Sequence, residues 1–146
     1  MKKISALGLD VGRKRIGVAG CDGTGSISTE LTTIYRTHWA EDVEQLRDIV
    51  RDREVEILVI GLPYNLDGTI GFQAKQTQKF ARRMARSLQL PLEYVDERLT
   101  SVEAETQLKA QKRFDRRDKG AIDRRAAAII LQQWLDMRHS KAIKGE

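Results

Sequence analysis

The chain has 146 residues, enough for one ordinary domain with one core and too few for two. Its 26 Lys and Arg against 21 Asp and Glu leave a net charge of +5, which favours an anionic partner without naming one. A lone cysteine, Cys21, excludes an internal disulfide and a cysteine-cluster zinc site, and no apolar run approaches the ~20 residues of a membrane span. A soluble cytoplasmic protein is expected, since Lys2-Lys3 leads into a strand and not into a signal segment.

The stretch Ile4-Ser5-Ala6-Leu7-Gly8-Leu9-Asp10-Val11-Gly12 reads as a central strand. Alternation puts Leu7, Leu9 and Val11 on one face and Ile4, Ala6, Gly8 and Asp10 on the other, so both faces look apolar and covered. Asp10 is the anomaly. An ionised carboxylate taken out of water is costly unless it is paired, hydrogen-bonded or bound to a cation. Gly8 and Gly12 are expected to leave room for a ligand or ion.

Beyond the polar turn Arg13-Lys14-Arg15, Ile16 to Gly20 returns as a second strand. After Asp22-Gly23-Thr24-Gly25, Ile27 to Tyr35 forms a third, giving an antiparallel meander. Trp39, Val43, Leu46 and Ile49 or Val50, with the stem of Arg53, recur at helical spacing. The continuous apolar run Ile57-Leu58-Val59-Ile60, closed by Gly61-Leu62-Pro63, predicts a parallel strand buried on both faces. A turn-rich loop from Tyr64 to Thr69 leads to a second helix with Phe80, Met84 and Leu88 inward, stopped by Pro91. Leu92 to Val95 is a short strand ending in Asp96-Glu97, and Thr100 with Glu103 forms a capping box for a third helix. Gln111 to Lys119 reads as a mobile basic loop. A last helix from about Gly120 buries Ile122, Ala126, Ile129 or Ile130, Trp134 and Met137. Residues 1–138 are expected to form a single domain and 139–146 a flexible basic tail. The order β-β-β-α-β-α-β-α-α is α/β, with a mixed five-stranded sheet flanked by helices.

Three carboxylates stand apart from charged helix faces: Asp10, Glu97 after the last strand, and Asp123, which is placed in the first turn of the last helix, where the dipole favours ionisation. Each has a plainer reading: an ion pair of Asp10 with an arginine such as Arg13, a surface turn for Glu97, a helix-start acid for Asp123. If the three converge, their repulsion calls for one or two hard divalent cations, Mg²⁺ or Mn²⁺, of the kind that serve phosphodiester hydrolysis without a His or Cys nucleophile. The two histidines, His38 and His139, lie outside every motif.

Several motifs carry a resemblance. Gly8-Leu9-Asp10-Val11-Gly12 with Lys14-Arg15-Ile16-Gly17-Val18-Ala19, Gly61-Leu62-Pro63 with Asp67-Gly68, Asp96-Glu97-Arg98-Leu99-Thr100, and Asp123 followed by Ala126-Ala127 and Ile130-Leu131 together resemble the YqgF family, also called RuvX, over essentially the whole chain. The resemblance implies a ribonuclease-H-like fold and a cytoplasmic nuclease that trims the 5′ end of pre-16S rRNA in ribosome biogenesis. An older proposal for the family is Holliday-junction resolution. It also implies that Asp10, Glu97 and Asp123 are both catalytic and metal-binding.

Lys14, Arg15 and Arg98 flank the acidic motifs as candidate phosphate contacts, and the Gly61 to Thr69 loop offers backbone amides, Asn65 and Thr69 to a phosphate, aided by the N-terminus of the next helix, with a plain Asp67-Gly68 turn as the alternative. Arg113, Arg116 and Arg117, in the basic run Lys112 to Arg125, are candidate grips on a nucleic-acid backbone; a solvated charged face is the plain alternative. The expected partner is nucleic acid, precursor ribosomal RNA ahead of structured DNA, with no membrane, and the protein acting as a monomer or homodimer. Two other classes compete. An ATP-handling protein of the actin and sugar-kinase type needs two such domains, and a non-catalytic binding module is disfavoured by the three carboxylates.

Overall fold

The protein is described here by a computed structural model covering residues 3–97, 104, 106–107 and 118–143. Strands β1 (Ala6–Val11), β2 (Arg15–Cys21) and β3 (Ser28–Tyr35) form the expected antiparallel meander. Helix α1 (Trp39–Arg53) crosses to β4 (Ile57–Leu62), and α2 (Phe72–Leu88) crosses to β5 (Leu92–Asp96). Both crossovers return the chain parallel, β4 beside β1 and β5 beside β4, so the five-stranded sheet has the order β3-β2-β1-β4-β5. The long helix α3 (Lys119–Ile143) lies across the other face.

Strand alternation sorts the two cores as expected. Leu7, Leu9, Ile16, Val18, Leu58 and Ile60 pack against Val43 and Leu46 of α1 and Phe80 and Met84 of α2. Ala6, Ala19, Ile57, Val59 and Val95 pack against Ala127, Ile130, Leu131 and Trp134 of α3. Sequestering these side chains from water is the main driving force for the three-layer arrangement.

Glycines set the distance between α3 and the sheet. A Cβ on Gly8 would lie 2.7 Å from Leu131 Cβ and 3.1 Å from the Ala127 carbonyl, and one on Gly17 would lie 1.9 Å from the Asp123 carbonyl. Gly8 therefore admits a helix and not a ligand, which corrects the sequence expectation; Gly12 belongs to the β1–β2 turn, its amide donating to Arg15 O at 2.8 Å. The start of α3 is pinned to β3 by Thr33 Oγ1 donating to Gly120 O (2.7 Å), and Asp118 caps it by accepting from the Ala121 amide (3.0 Å).

Helix α3 also departs from expectation at its ends. It begins at Lys119, so Asp123 stands beyond its first turn, and it continues to Ile143, past the boundary expected at residue 138. Met137, expected inward, is 49% exposed, whereas Leu135 is buried. The capping box at Thr100 and Glu103 and the basic loop as far as Arg117 lie outside the described residues; Ala104, Thr106 and Gln107 are helical, and Ala104 is buried against Ala126 and Ile129.

A Cβ at Gly17 has to displace a helical carbonyl that cannot rotate away. Gly17→Ala is expected to cost about 3 kcal/mol or more in thermal or urea unfolding. Gly23→Ala, with nothing within 4 Å of the new methyl, is expected to leave the midpoint unchanged.

Candidate active site

Asp10 lies on the α3 face of β1 and is flanked in the sheet by glycines. Gly17 is its antiparallel partner, and Gly61 follows Ile60, the partner of Leu9. The space over Gly17 holds the backbone of Asp123; the space over Gly61 holds Glu97, whose Cβ and Cδ would each be 3.0 Å from an added methyl. Two missing side chains thus admit the other two carboxylate residues. Glu97 is fixed just past β5 by its amide donating to Leu62 O at 3.0 Å. Asp123 occupies the sheet-facing stripe of α3 that continues through Ala127 and Leu131.

The three carboxylates differ in their partners. Asp10 and Glu97 hydrogen-bond to each other. Burial first, then the Asp10 charge and the hydrogen bond with it, together push the Glu97 carboxyl up to about 9. Burial also pushes Asp10 up to about 6, opposed by the hydrogen bond from Glu97 and assisted by the Asp123 charge. At neutral pH Glu97 therefore keeps the proton and donates it to the Asp10 carboxylate. Asp123 instead pairs with Arg15, whose Nε donates to its Oδ2 at 2.6 Å. Arg15, and not the helix dipole, is its immediate compensation, and Arg13 is not among the groups acting on Asp10.

Among the described residues no group of three such side chains stands arranged around a metal ion, because Asp10 and Glu97 close on each other and Asp123 turns to Arg15. The donor chemistry nonetheless fits a hard cation: all the ligands would be oxygens, and two buried carboxyls now share a proton in a place that a cation's charge would take. His38 is elsewhere, 3.4 Å from Glu41 at the start of α1.

The other sequence candidates separate. Lys14 is exposed in the β1–β2 turn beside the site. Asn65 and Thr69 are tied into their own loop: Asn65 Nδ2 donates to Thr69 Oγ1 (2.9 Å), and the Thr69 amide and hydroxyl donate to Asp67 Oδ1 (3.0 and 2.7 Å). Arg124 and Arg125 reach back to β3, Arg125 Nε lying 2.8 Å from Glu30 Oε2 and Arg124 Nη1 donating to Thr33 Oγ1 at 3.2 Å. Arg98, Arg113, Arg116 and Arg117 lie outside the described residues. Sequence reasoning missed Gly17 and Gly61 as parts of the site. The signal available was their position in strands whose neighbours are bulky.

A mixed sheet of this order, with carboxylates at the ends of β1 and β5 and on the covering helix, defines a ribonuclease-H-like fold. RuvC from Thermus thermophilus in complex with a Holliday junction substrate matches it with a TM-score of 0.56 at 10% identity, over 93% of this chain and 96% of that chain. The family described as RuvX, Holliday junction resolvase, matches residues 4–137. A protein of Rippkaea orientalis is 72% identical over 138 residues, 94% of this chain and 99% of its own; one of Synechocystis sp. is 65% identical over 144 residues, 99% of this chain and 95% of its own. Both are provisionally named pre-16S rRNA nuclease. The chain belongs to the RuvX family, and its activity class is that of a nuclease, a hydrolase of phosphodiester bonds.

The carboxyl pair makes stability depend on pH in a stated direction. A group whose pKa is raised on folding releases its proton first in the unfolded chain, so stability is full below the unfolded value and is lost as pH rises toward the folded one. For Glu97 that window runs from the ordinary 4.5 to about 9, and for Asp10 from 3.8 to about 6. In chelator, wild type is expected to lose up to about 1.4 kcal/mol per pH unit for each titrating group. Glu97→Gln should be the more stable protein at pH 8, with the difference closing toward pH 4. Urea unfolding across that range checks this, and equal pH slopes for the two proteins would refute it.

Proposed function

We propose that this protein is a divalent-cation-dependent ribonuclease that processes the 5′ end of pre-16S rRNA in the cytoplasm. The observation that carries this reading is the half-buried, proton-sharing Asp10 and Glu97 pair with Asp123 held beside it by Arg15. The relatives named above, which match nearly their whole length, support the choice of RNA.

Asp10, Glu97 and Asp123 would hold Mg²⁺ or Mn²⁺, which when bound supplies positive charge against the scissile phosphate and activates water for attack. Glu97 must release its proton for this, so cation binding is linked to proton release and tightens as pH rises. Arg15 keeps the Asp123 carboxylate oriented along the sheet and, with Lys14, lends positive charge beside the site for a phosphate. Arg98 and the run containing Arg113, Arg116 and Arg117 would neutralise further phosphates, whereas Asn65 and Thr69 serve chiefly to shape their loop. The family description favours a second reading, Holliday-junction resolution, which requires a homodimer to cut two strands symmetrically.

The deciding experiment offers purified protein both precursor 16S rRNA and a four-way DNA junction, with Mg²⁺, Mn²⁺ or chelator. Cation-dependent cleavage at the precursor 5′ end is expected. Symmetric cleavage of the junction alone would move the assignment to the second reading. Asp10→Asn should lower the cleavage rate by about 10³-fold or more while the fold survives. Arg15→Gln should cost about 10- to 100-fold through loss of Asp123 orientation. Replacing Arg113, Arg116 and Arg117 with Ala should flatten the salt dependence of RNA binding by about 2 in logarithmic slope; an unchanged slope would assign that run to solvation.

A further inference from the structure

A cavity of about 820 Å³ lies not over the carboxylates but on the opposite face of the sheet, at the same end of β1. Val11 and Gly12 form part of its wall, and Val11 directly follows Asp10 with its side chain on the other face, so the cavity and the acidic site share one strand end. Arg13, Arg36, Lys79 and Arg83 line it, together with Trp39, Phe72 and Phe80, and among the described residues no acidic one does. Helix α2, which supplies one wall, carries Lys75, Lys79, Arg82, Arg83 and Arg86 and no Asp or Glu.

Part of this arrangement is structural. Arg83 stacks 3.9 Å above the Trp39 ring and Arg36 4.8 Å from the Phe80 ring, while Arg36 also donates to Gly12 O at 2.6 Å and lies 3.9 Å from the buried Asp42. Packing does not account for the rest. Among the described residues, no carboxylate lies within ion-pair distance of Arg13, Lys79 or Arg83, and Phe72, which lines the cavity, stands 73% exposed. A channel with three cations free of ion pairs and an accessible aromatic ring matches the chemistry of a single strand, phosphates along the cations and a base on the ring. A duplex keeps its base faces stacked internally and has no use for Phe72.

We propose that this groove binds a short single-stranded RNA segment, the flank of the substrate, as it leaves the acidic site over the β1–β2 turn; this rests on the ribonuclease reading above. A cavity of this size takes a drug-sized ligand, which corresponds to about one or two nucleotides. Its sequence preference should be weak, since stacking and phosphate contacts tolerate any base.

The test measures anisotropy of a labelled 12-nucleotide RNA, with the full chain in chelator so that no cleavage intervenes, across a salt series. Phe72→Ala is expected to weaken binding about five- to a hundredfold with the salt slope unchanged, because stacking is lost and no ion is released. Arg13→Ala/Lys79→Ala/Arg83→Ala should weaken binding and lower the slope by about 2. A control of equal charge change outside the groove, Arg51→Ala/Lys75→Ala/Arg86→Ala, should lose clearly less. Thermal melts of each variant verify folding, and Phe72 is exposed enough for its truncation to leave the midpoint in place. Wild-type affinity in Phe72→Ala, equal losses in the groove and control triples, or binding of the matching DNA strand or RNA duplex in preference to the single strand would overturn the proposal. Because the assay reads binding alone, the groove can stand if precursor RNA is not cleaved, and it can fall while cleavage stands.

Discussion

Everything at the acidic centre depends on how closely α3 lies on the sheet. A helix normally rests on a layer of side chains, but over Gly8 and Gly17 it rests on strand backbone, with the Asp123 carbonyl where a methyl group would otherwise be. That contact fixes Asp123 in height and along the strand direction. Gly61, on the neighbouring strand, leaves space for the side chains of Ile130 and Glu97, and the Glu97 amide is held by Leu62 O. The position of the site is thus determined by backbone, which has few degrees of freedom, and the long acidic side chains have little left to choose.

The same closeness sets an electrostatic conflict. Two carboxyls meet in a place poor in water, and without a cation they settle it by sharing a proton. Asp123 settles its part with Arg15, across a chain separation of 108 residues. An arrangement adapted only to stability would place apolar side chains there, as it does one turn further along α3 with Ala127. Three acids held together against this cost are the physical ground for proposing a functional site there.

Much of this was legible in the sequence, and what was not has identifiable reasons. The two-faced strand around Asp10 and the apolar run at Ile57 to Ile60 stated the central sheet directly, because period and hydropathy are local. The glycines are less legible: by sequence Gly8 reads as room for a ligand, whereas Leu131 fills that room from the far end of the chain. No local pattern reports such a contact. Met137 kept helical phase with Trp134, yet it projects outward where α3 outruns the sheet. Asn65 and Thr69 had the residue types of a phosphate loop, but their groups are taken up by Asp67 and by each other. The basic groove escaped notice because its walls come from the β1–β2 turn and the starts of α1 and α2, none of which is unusual alone.

The Arg15 to Asp123 contact joins the second strand to the last helix, so the acidic centre is among the last parts of the chain to be assembled during synthesis. A nascent chain that has released the sheet from the ribosome but not α3 holds Asp10 without Asp123. Its β1 face would be bare glycine and alanine, offering phosphate no complete acidic pocket. If the three acids act together as proposed, cleavage requires α3 to have been made and docked on the sheet.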